Sequence, residues 1–525
     1  MPGADERRRV RLVALGVVAL GVVLGAAPLL VGPPGGDDAY YHAMYAQQHA
    51  ACWRDGVLHP RWYPGLNDGL GGPEPRTRPL APLVLHAAFA LALDDAVAAT
   101  ALATALIPPV AGLLMLAAAR RRGAGPAVAG LVGAAWAAAP YLLVSLHERA
   151  ALQEAWALAL LPLVLASLLP PGPADRREAL LGAAAFAALA ATQLLVAFMA
   201  GVILAAAHLA APRRRALGAG AALLLGLGLS AVSWLANVVS LGRIQGEVFA
   251  SGWFDWRNRF VLGGADPDPV LARSMLLVLA GLAACALVTV AAERGRARWL
   301  GAGALLTALL ATPLSRPLWE VVPGFALVQF PWRWLGPASC LAALALAAAG
   351  RARVRLAGGV LLVAPLLVVP LWEWRLAGGS PLRPSEPAPR VAQAATRYGV
   401  PPILPSFPAT LPKGVDLLQA VRRGAEARRA LSAPSPAGPR EWRFLVRRDA
   451  SGIATLPLLT DASWRAEVDG VAAPVREDAG LVAVEVPRGY SEVRLVQRAF
   501  PEETVGAALT LVSLLAVAFV CRRPR

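Results

Sequence analysis

The chain has 525 residues, of which 57% are hydrophobic and only 16% charged, with a mean hydropathy of +0.54 and a formal net charge of +16. A soluble globular domain is not built from this composition, and a polytopic membrane protein is. The positive charge sits in arginine clusters between apolar runs, at residues 7–9, 120–122, 176–177, 213–215, 294–298, 351–355 and 522–523. That is the pattern of the positive-inside rule, and it argues against a nucleic-acid surface.

In chain order, the apolar run 10–31 follows the first arginine cluster. It is longer than a signal-peptide core and lacks a clear cleavage site, so it reads as a retained first helix leaving the cytoplasm. Further apolar runs lie at 96–119, 126–144, about 155–169, 216–236, about 272–291, about 299–314, 335–349, 356–371 and 505–520. The stretch 179–211 is too long for one span, yet Arg177 and Arg213 require the same side; it is expected to split near Thr192-Gln193. The sum is about twelve transmembrane helices of roughly 15–24 residues, with every arginine cluster and both termini in the cytoplasm.

The outer connections are long. The first, 32–95, begins with Gly36-Asp37-Asp38 and an amphipathic segment reaching about Cys52. On a helix, Asp38, Tyr41, His42, Tyr45 and His49 fall at i, i+3, i+4, i+7 and i+11 and share one face. The connections 237–268 and 315–334 follow. The last, 373–504, opens proline-rich, allows one helix over 414–431, and from Glu441 alternates apolar and polar residues, with turn signals at Asp469-Gly470 and Arg488-Gly489. The expected architecture is an all-α polytopic membrane protein with a small extracytoplasmic antiparallel β domain before the last helix. Its divisions are a membrane part at 1–372, a proline-rich connector at 373–440, a β domain at 441–503, and a final helix with a basic tail at 504–525. The four cysteines form no CxxC pair, so neither a disulfide framework nor a zinc site is expected.

No Walker loop is present, no GxGxxG follows a strand, and the short cytoplasmic loops leave no room for a nucleotide-binding domain. Polar residues gather at the outer face, where activated groups come attached to lipid. One of Asp37 and Asp38 suits a helix N-cap, and the other is a candidate general base. His42 and His49 share the Asp38 face. They could bind phosphate, orient the base or hold a metal, but no His-x3-His pair supports the metal. Arg61, Arg149 and Arg333 each lie at the outer surface and are candidates for a lipid phosphate. Arg149 and Glu154 are read either as an ion pair holding a bend or as functional charges at membrane depth. Nine tryptophans, Trp53, Trp62, Trp253, Trp256, Trp319, Trp332, Trp334, Trp372 and Trp374, fall at or beyond outer helix ends. With Tyr41, they suggest a surface for stacking on a sugar ring or prenyl chain. Asp266-Pro267-Asp268 reads better as a turn and cap than as a metal-binding DxD.

Several of these stretches resemble known families. Asp38 with His42, then Leu58-His59-Pro60-Arg61-Trp62 and Gly69-Leu70-Gly71-Gly72-Pro73, resembles the first outer loop of bacterial GT-C-type membrane glycosyltransferases. The likeness is closest to polytopic proteins labelled "6-pyruvoyl-tetrahydropterin synthase-related". Arg149-Ala150-Ala151-Leu152-Gln153-Glu154 with Leu160-Leu161-Pro162-Leu163, and Gln329-Phe330-Pro331-Trp332-Arg333-Trp334, resemble their second and third outer motifs. Trp464-Arg465-Ala466-Glu467-Val468-Asp469-Gly470 resembles the terminal β domain of YfhO-type proteins. The sequence departs from the pattern at Asp37, where histidine is expected, and at Glu74-Pro75-Arg76-Thr77-Arg78, which replaces a more aromatic stretch.

The resemblance implies transfer of a sugar from a polyprenyl-phosphate donor to an envelope glycan, lipid or protein. The reaction would take place on the outer face of a bacterial cytoplasmic membrane. Asp38 would be catalytic, with Asp37, His42 and Glu154 supporting it; Arg149, Arg333 and Arg61 would hold the donor phosphate; Tyr41, Trp62 and Trp332 would stack on sugar or lipid. The resemblance names no cofactor and leaves a divalent cation open. A non-enzymatic lipid or polysaccharide transporter, or an envelope assembly partner, is the alternative. A transporter places ionisable residues near the bilayer midplane, whereas the mid-span residues here are nearly all Ala, Leu, Val and Gly.

Overall fold

The computed structural model describes residues 4–31, 38–170, 172, 175–209, 211–245, 254–263, 269–367, 411–431, 435–438 and 440–522. They are mostly helical, with a small antiparallel β domain near the C-terminal end. Alanine and leucine cost little in a helix, and a helix satisfies its own backbone polar groups where water is absent, so the apolar runs fold as helices.

Among the described residues four helices are long and apolar enough to cross a membrane: Ala96–Arg121, Pro126–Glu148, Pro269–Ala292 and Pro501–Cys521. Two further runs fold as bent pairs, Arg213–Leu229 with Ala231–Ser240 at 78° and Gly295–Leu309 with Pro313–Val321 at 85°, which brings the number to six if each pair is one span. The described residues thus show four to six such spans and do not show the expected total of about twelve. Leu80–Leu93, Leu152–Leu168 and Leu194–His208 are shorter apolar helices. The run 10–31 breaks into Ala4–Gly25 and Ala27–Val31. The stretch 179–211 does divide where expected: one helix ends at Thr192, the next begins at Leu194, and Gln193 between them is extended.

The first outer connection is more ordered than a loop. The amphipathic segment is the helix Ala39–Arg54. The apolar stretch after Arg78, read only as part of the connection, is the helix Leu80–Leu93 packed against it. Met44, Tyr45 and Cys52 of the first helix meet Tyr63, Leu66 and Leu83 in one small core.

Among the described residues the β domain has eight strands: β1 (Ser435–Gly438), β2 (Glu441–Arg448), β3 (Gly452–Leu459), β4 (Trp464–Val468), β5 (Val471–Ala473), β6 (Arg476–Asp478), β7 (Leu481–Val486) and β8 (Gly489–Gln497). They form two antiparallel sheets, ordered β1-β2-β8-β4-β5 and β3-β7-β6. Phe444, Val446, Trp464, Val493 and Leu495 face Leu456, Leu458, Val482 and Val484 across the core. Asp469 and Gly470 turn β4 into β5 with positive φ at both residues, as a two-residue hairpin of this sequence requires.

Two residues of the first outer connection complete this core. Trp62 packs edge-on against Trp464, with ring centroids 5.2 Å apart, and Leu70 lies in the same apolar cluster while its carbonyl accepts the Leu459 amide at 2.9 Å. Gly71 lies beside the Trp62 ring; a Cβ there would come 2.0 Å from Trp62 Nε1, and φ is +77°. The helix Leu417–Ala430 covers β3 and touches Leu70 through Gly424. Arg76 then ties the two parts by charge. Its Nη1 reaches both Asp461 carboxylate oxygens at 2.9 Å, its Nη2 donates to Ser463 Oγ at 3.0 Å, and its Nε lies 3.3 Å from Glu503 of the last helix.

Candidate active site

The helix Pro126–Ala137 is followed by a turn at Pro140–Leu143 and a π-helical turn at Val144–Glu148. Ala150 then takes a left-handed conformation at φ 51°, which costs a non-glycine residue of order 1–3 kcal/mol. The reversal folds Arg149 back onto the first turn of the next helix, and Arg149 Nη1 lies 3.2 Å from Glu154 Oε2. Tyr141 donates its hydroxyl to Glu154 Oε1 at 2.5 Å. The Tyr141 ring fits because residue 336 is glycine; a Cβ there would stand 2.9 Å from the ring and 2.8 Å from Leu158.

The third motif arrives from the opposite side. Gln329 has a positive φ of 66° with ψ −49°, and Pro331 starts a short 3-10 turn that ends at Trp334. Arg333 Nε is thereby set 3.1 Å from Glu154 Oε2, while its Nη1 donates to the Val328 carbonyl at 2.8 Å and to Gln329 Oε1 at 3.0 Å. One buried carboxylate therefore holds two guanidiniums, Arg149 buried and Arg333 largely so, its side chain 11% exposed. Such a cluster is stable only while every member is paired. The Arg149 guanidinium lies 4.4 Å from the centre of the Trp332 ring, that ring stacks on Phe330 at 4.8 Å, and Arg333 lies 4.8 Å from the Phe330 centre.

Asp38 completes the group from the first outer connection. Its amide donates to the Arg149 carbonyl at 3.4 Å, and it heads the helix Ala39–Arg54 without capping it: its side chain makes no cap hydrogen bond. The carboxylate is left to the charges around it. Burial pushes its pKa above the ordinary value, Arg78, Arg149 and Arg333 pull it back, Glu154 adds to the push, and the balance stays upward.

Arg78 donates to the Tyr45 hydroxyl at 3.1 Å, with its guanidinium 5.1 Å from that ring's centre. Tyr41, half-buried, stacks on Tyr45 with centroids 6.2 Å apart. His42 is buried edge-on to His86 at 5.6 Å and hydrogen-bonds the Ala150 backbone; burial and the nearby Arg78 charge hold its pKa down at about 3. His49, on the same helix face, hydrogen-bonds the Tyr63 hydroxyl at 2.9 Å.

The structure thus gathers Asp38, Tyr41, His42, Arg149, Glu154 and Arg333. It takes Arg61 and Trp62 elsewhere. Arg61 Nε lies 3.5 Å from Glu503, among the contacts that dock the β domain, and Trp62 is 3% exposed against Trp464. Trp332 is in the cluster but also 3% exposed, its ring covered by Arg149 and Phe330. Three more of the nine tryptophans, Trp256, Trp319 and Trp334, are buried among Phe260 and Phe325, while Trp53 is half-buried.

Asp37, Asp266, Asp268, Trp253, Trp372 and Trp374 lie outside the described residues. Among the described residues no group of three or more His, Cys, Asp or Glu side chains could hold a metal ion.

Sequence reading missed two members. Arg78 looked like a departure from a motif, and its place beyond a proline-flanked turn was the only signal. Tyr141 follows Pro140 inside an apolar run and gave no signal, because its partner Glu154 is reached only after the chain reverses.

The described fold is that of a multi-pass helical membrane protein carrying a small antiparallel β domain. Among solved structures it is similar to the arabinofuranosyltransferase AftD from Mycobacteria, at 17% identity and a TM-score of 0.46, over 94% of this chain and 40% of that one. Two structures of a mutant of the same protein give TM-scores of 0.47 and 0.45 at 17% and 16% identity, over 93% and 94% of this chain and 41% and 42% of theirs. This chain therefore spans about two fifths of the length of those proteins. No family model and no curated protein matches it.

Proposed function

We propose that this protein is a GT-C-type membrane glycosyltransferase that moves a sugar from a polyprenyl-phosphate donor to an envelope acceptor at the outer face of a bacterial cytoplasmic membrane. Both termini would lie in the cytoplasm, with residues 1–372 as the catalytic membrane part, 373–440 as a connector, 441–503 as a docked β domain and 504–525 as the closing helix. The observation that carries the reading is the convergence of Asp38 with Arg149 and Arg333. Segments far apart in sequence put a carboxylate that caps nothing near two guanidiniums held by one buried glutamate.

The chemistry needs little more. The acceptor hydroxyl gives its proton to the Asp38 carboxylate as its oxygen bonds to the anomeric carbon. The anomeric carbon–oxygen bond to phosphate breaks, and its electron pair leaves with polyprenyl phosphate. A base with a raised pKa takes up the proton more readily, provided it is ionised at the working pH. Charge gathering on the leaving phosphate meets Arg149 and Arg333, whose positions are set beforehand by Glu154, so no reorganisation is needed during the reaction. His42, neutral at physiological pH, fixes the Asp38 turn against Ala150, and Tyr41 beside it offers a ring to the sugar.

The test is purified protein in lipid with a labelled polyprenyl-phosphate sugar and an envelope acceptor extract, comparing the wild type with Asp38→Asn. Transfer by the wild type and its loss in the variant support the reading. Equal transfer by both removes Asp38 from the mechanism, and movement of the intact donor across the bilayer without transfer favours the transporter.

A further inference from the structure

The β domain meets the rest of the chain around a cavity of about 550 Å³, within the size range of small-molecule sites. Its wall has three sources: Arg243 beyond the helix Ala231–Ser240, Pro412 and Lys413 ahead of the helix Leu417–Ala430, and the β3–β4 and β5–β6 stretches of the β domain. It shares no residue with the group around Asp38, Arg149 and Arg333.

A short backbone pairing builds one side. Ile244 bridges Pro412 antiparallel, the Lys413 amide donates to the Arg243 carbonyl at 3.2 Å, and the Gln245 amide donates to the Leu411 carbonyl at 3.0 Å. Gln245 Nε2 adds a bond to the Val415 carbonyl at 2.9 Å. This register sets Arg243 directly opposite Lys413, and like charges so placed repel unless something neutralises them. Arg243 is neutralised within the protein: Glu502 of the last helix holds its guanidinium, and the Phe500 ring centre lies 3.9 Å from it. Lys413 is exposed and makes no ion pair among the described residues.

The β domain supplies the other side. Arg465 Nη1 donates to the Ala462 and Trp464 carbonyls at 3.2 and 2.8 Å, which fixes the guanidinium at the wall without neutralising it. Arg476 lies 3.2 Å from Glu485. Asp461 is taken up by Arg76 at 2.9 Å and by Ser463, which leaves Glu477 on the wall against Lys413 and Arg465. Positive charge is therefore in excess. Trp464, buried between Trp62 and Trp442, makes this side rigid.

We propose that this cavity is a second, non-catalytic binding site that takes a phosphate group through Lys413 and Arg465. Lysine supplies a mobile point charge and arginine a planar fork of donors, a pair suited to a group with several anionic oxygens. A soluble sugar phosphate and a phospholipid headgroup present this same chemistry. The membrane part, the connector and the β domain each supply wall, so the site exists only when the β domain is docked. A ligand there strengthens the docking by mass action. The proposal stands on the cavity and not on the transferase reading.

Lys413 is the single lysine in the 525 residues, so acylation by an amine-reactive ester, read by mass spectrometry of its peptide, reports this site directly. The full-length protein is labelled in a phosphate-free maltoside detergent with glucose 1-phosphate, with glucose, or with sodium chloride at matched ionic strength. It is labelled separately in nanodiscs of phosphatidylglycerol and of digalactosyl diacylglycerol, which carries no phosphate. Bound phosphate covers the amine and holds it protonated, so acylation slows about tenfold at a ligand concentration about ten times Kd. Slowing by glucose 1-phosphate assigns the soluble source, and slowing in phosphatidylglycerol alone assigns the lipid. In either case Arg465→Gln removes most of the slowing and leaves the ligand-free rate unchanged, whereas Arg448→Gln, at an exposed arginine of β2 off the wall, keeps it. No slowing in either arm, equal slowing by glucose or by salt, or slowing that survives Arg465→Gln overturns the proposal. No sugar transfer is measured, so the result leaves the transferase reading untouched.

Discussion

Arg333 and Glu154, 179 residues apart in the chain, meet at 3.1 Å inside the protein, on the same carboxylate oxygen that takes Arg149 at 3.2 Å. The pairing fixes two motifs against each other, and each motif carries a non-glycine residue with positive φ, Ala150 between Arg149 and Glu154 and Gln329 four residues before Arg333. The strain at Ala150 and Gln329 persists because the ion cluster over-determines the backbone around it.

Glu154→Gln keeps the shape of the side chain and removes its charge. Two guanidiniums are then left against each other, and the expected destabilisation is about 3–5 kcal/mol. Thermal unfolding in detergent would show it as a lowered midpoint, with sugar transfer falling as well. A variant as stable as the wild type would mean that the arginines find other partners.

Asp38→Asn has the opposite profile. Asp38 caps no helix, so the unfolding midpoint should stay close to that of the wild type, while transfer falls by about 10²–10⁴-fold. In the wild type the base works only when ionised, and its pKa is raised from 3.8. Activity should therefore fall as pH drops, with the acid limb above the ordinary carboxylate range. A pH–rate profile flat down to pH 4 would contradict this.

Gly336→Ala places a methyl 2.8–2.9 Å from Leu158 and the Tyr141 ring. Overpacking of this kind costs about 1–3 kcal/mol and should push Tyr141 off Glu154, lowering both stability and transfer. Gly359, in the helix Ala352–Val363, has nothing within 4 Å of a built Cβ. Gly359→Ala should therefore be neutral, or stabilising by up to about 1 kcal/mol through helix propensity. A comparison of the two midpoints separates packing from composition.

His42 gives a stability signature. Its folded pKa, about 3, lies below the ordinary 6.5, so the unfolded chain binds the proton more tightly. Its contribution is present above pH 6.5 and is lost as pH falls from there towards 3, reaching about 2 kcal/mol by pH 5. His42→Asn should remove that part of the slope when unfolding midpoints are compared at pH 7.5 and pH 5. An unchanged slope would place the proton uptake elsewhere.

The apolar runs, their arginine flanks, the amphipathic helix after Asp38 and the alternating strands after Glu441 were all legible in the chain. Each depends on neighbours within a few turns: hydropathy, a period of 3.6 or of two, and turn residues such as Asp469-Gly470. The break at Gln193 was legible for a similar reason, since two arginine flanks cannot both lie inside if a single span joins them. The helix Leu80–Leu93 and the bends near Ser230 and Pro313 were not, because hydropathy records what a segment avoids and not where it turns.

Within the site, the short motifs marked Asp38, Arg149, Glu154 and Arg333 because polar residues at the ends of apolar runs stand out against their surroundings. Which of them meet was decided by the tertiary structure alone. Arg61 and Arg78 are both arginines of the first outer connection, yet Arg61 goes to Glu503 and Arg78 to Tyr45. A guanidinium carries no mark of its partner. Its partner is the carboxylate or ring that the packing of distant helices and a docked β domain brings within about 3–4 Å, and that distance is a property of the whole fold.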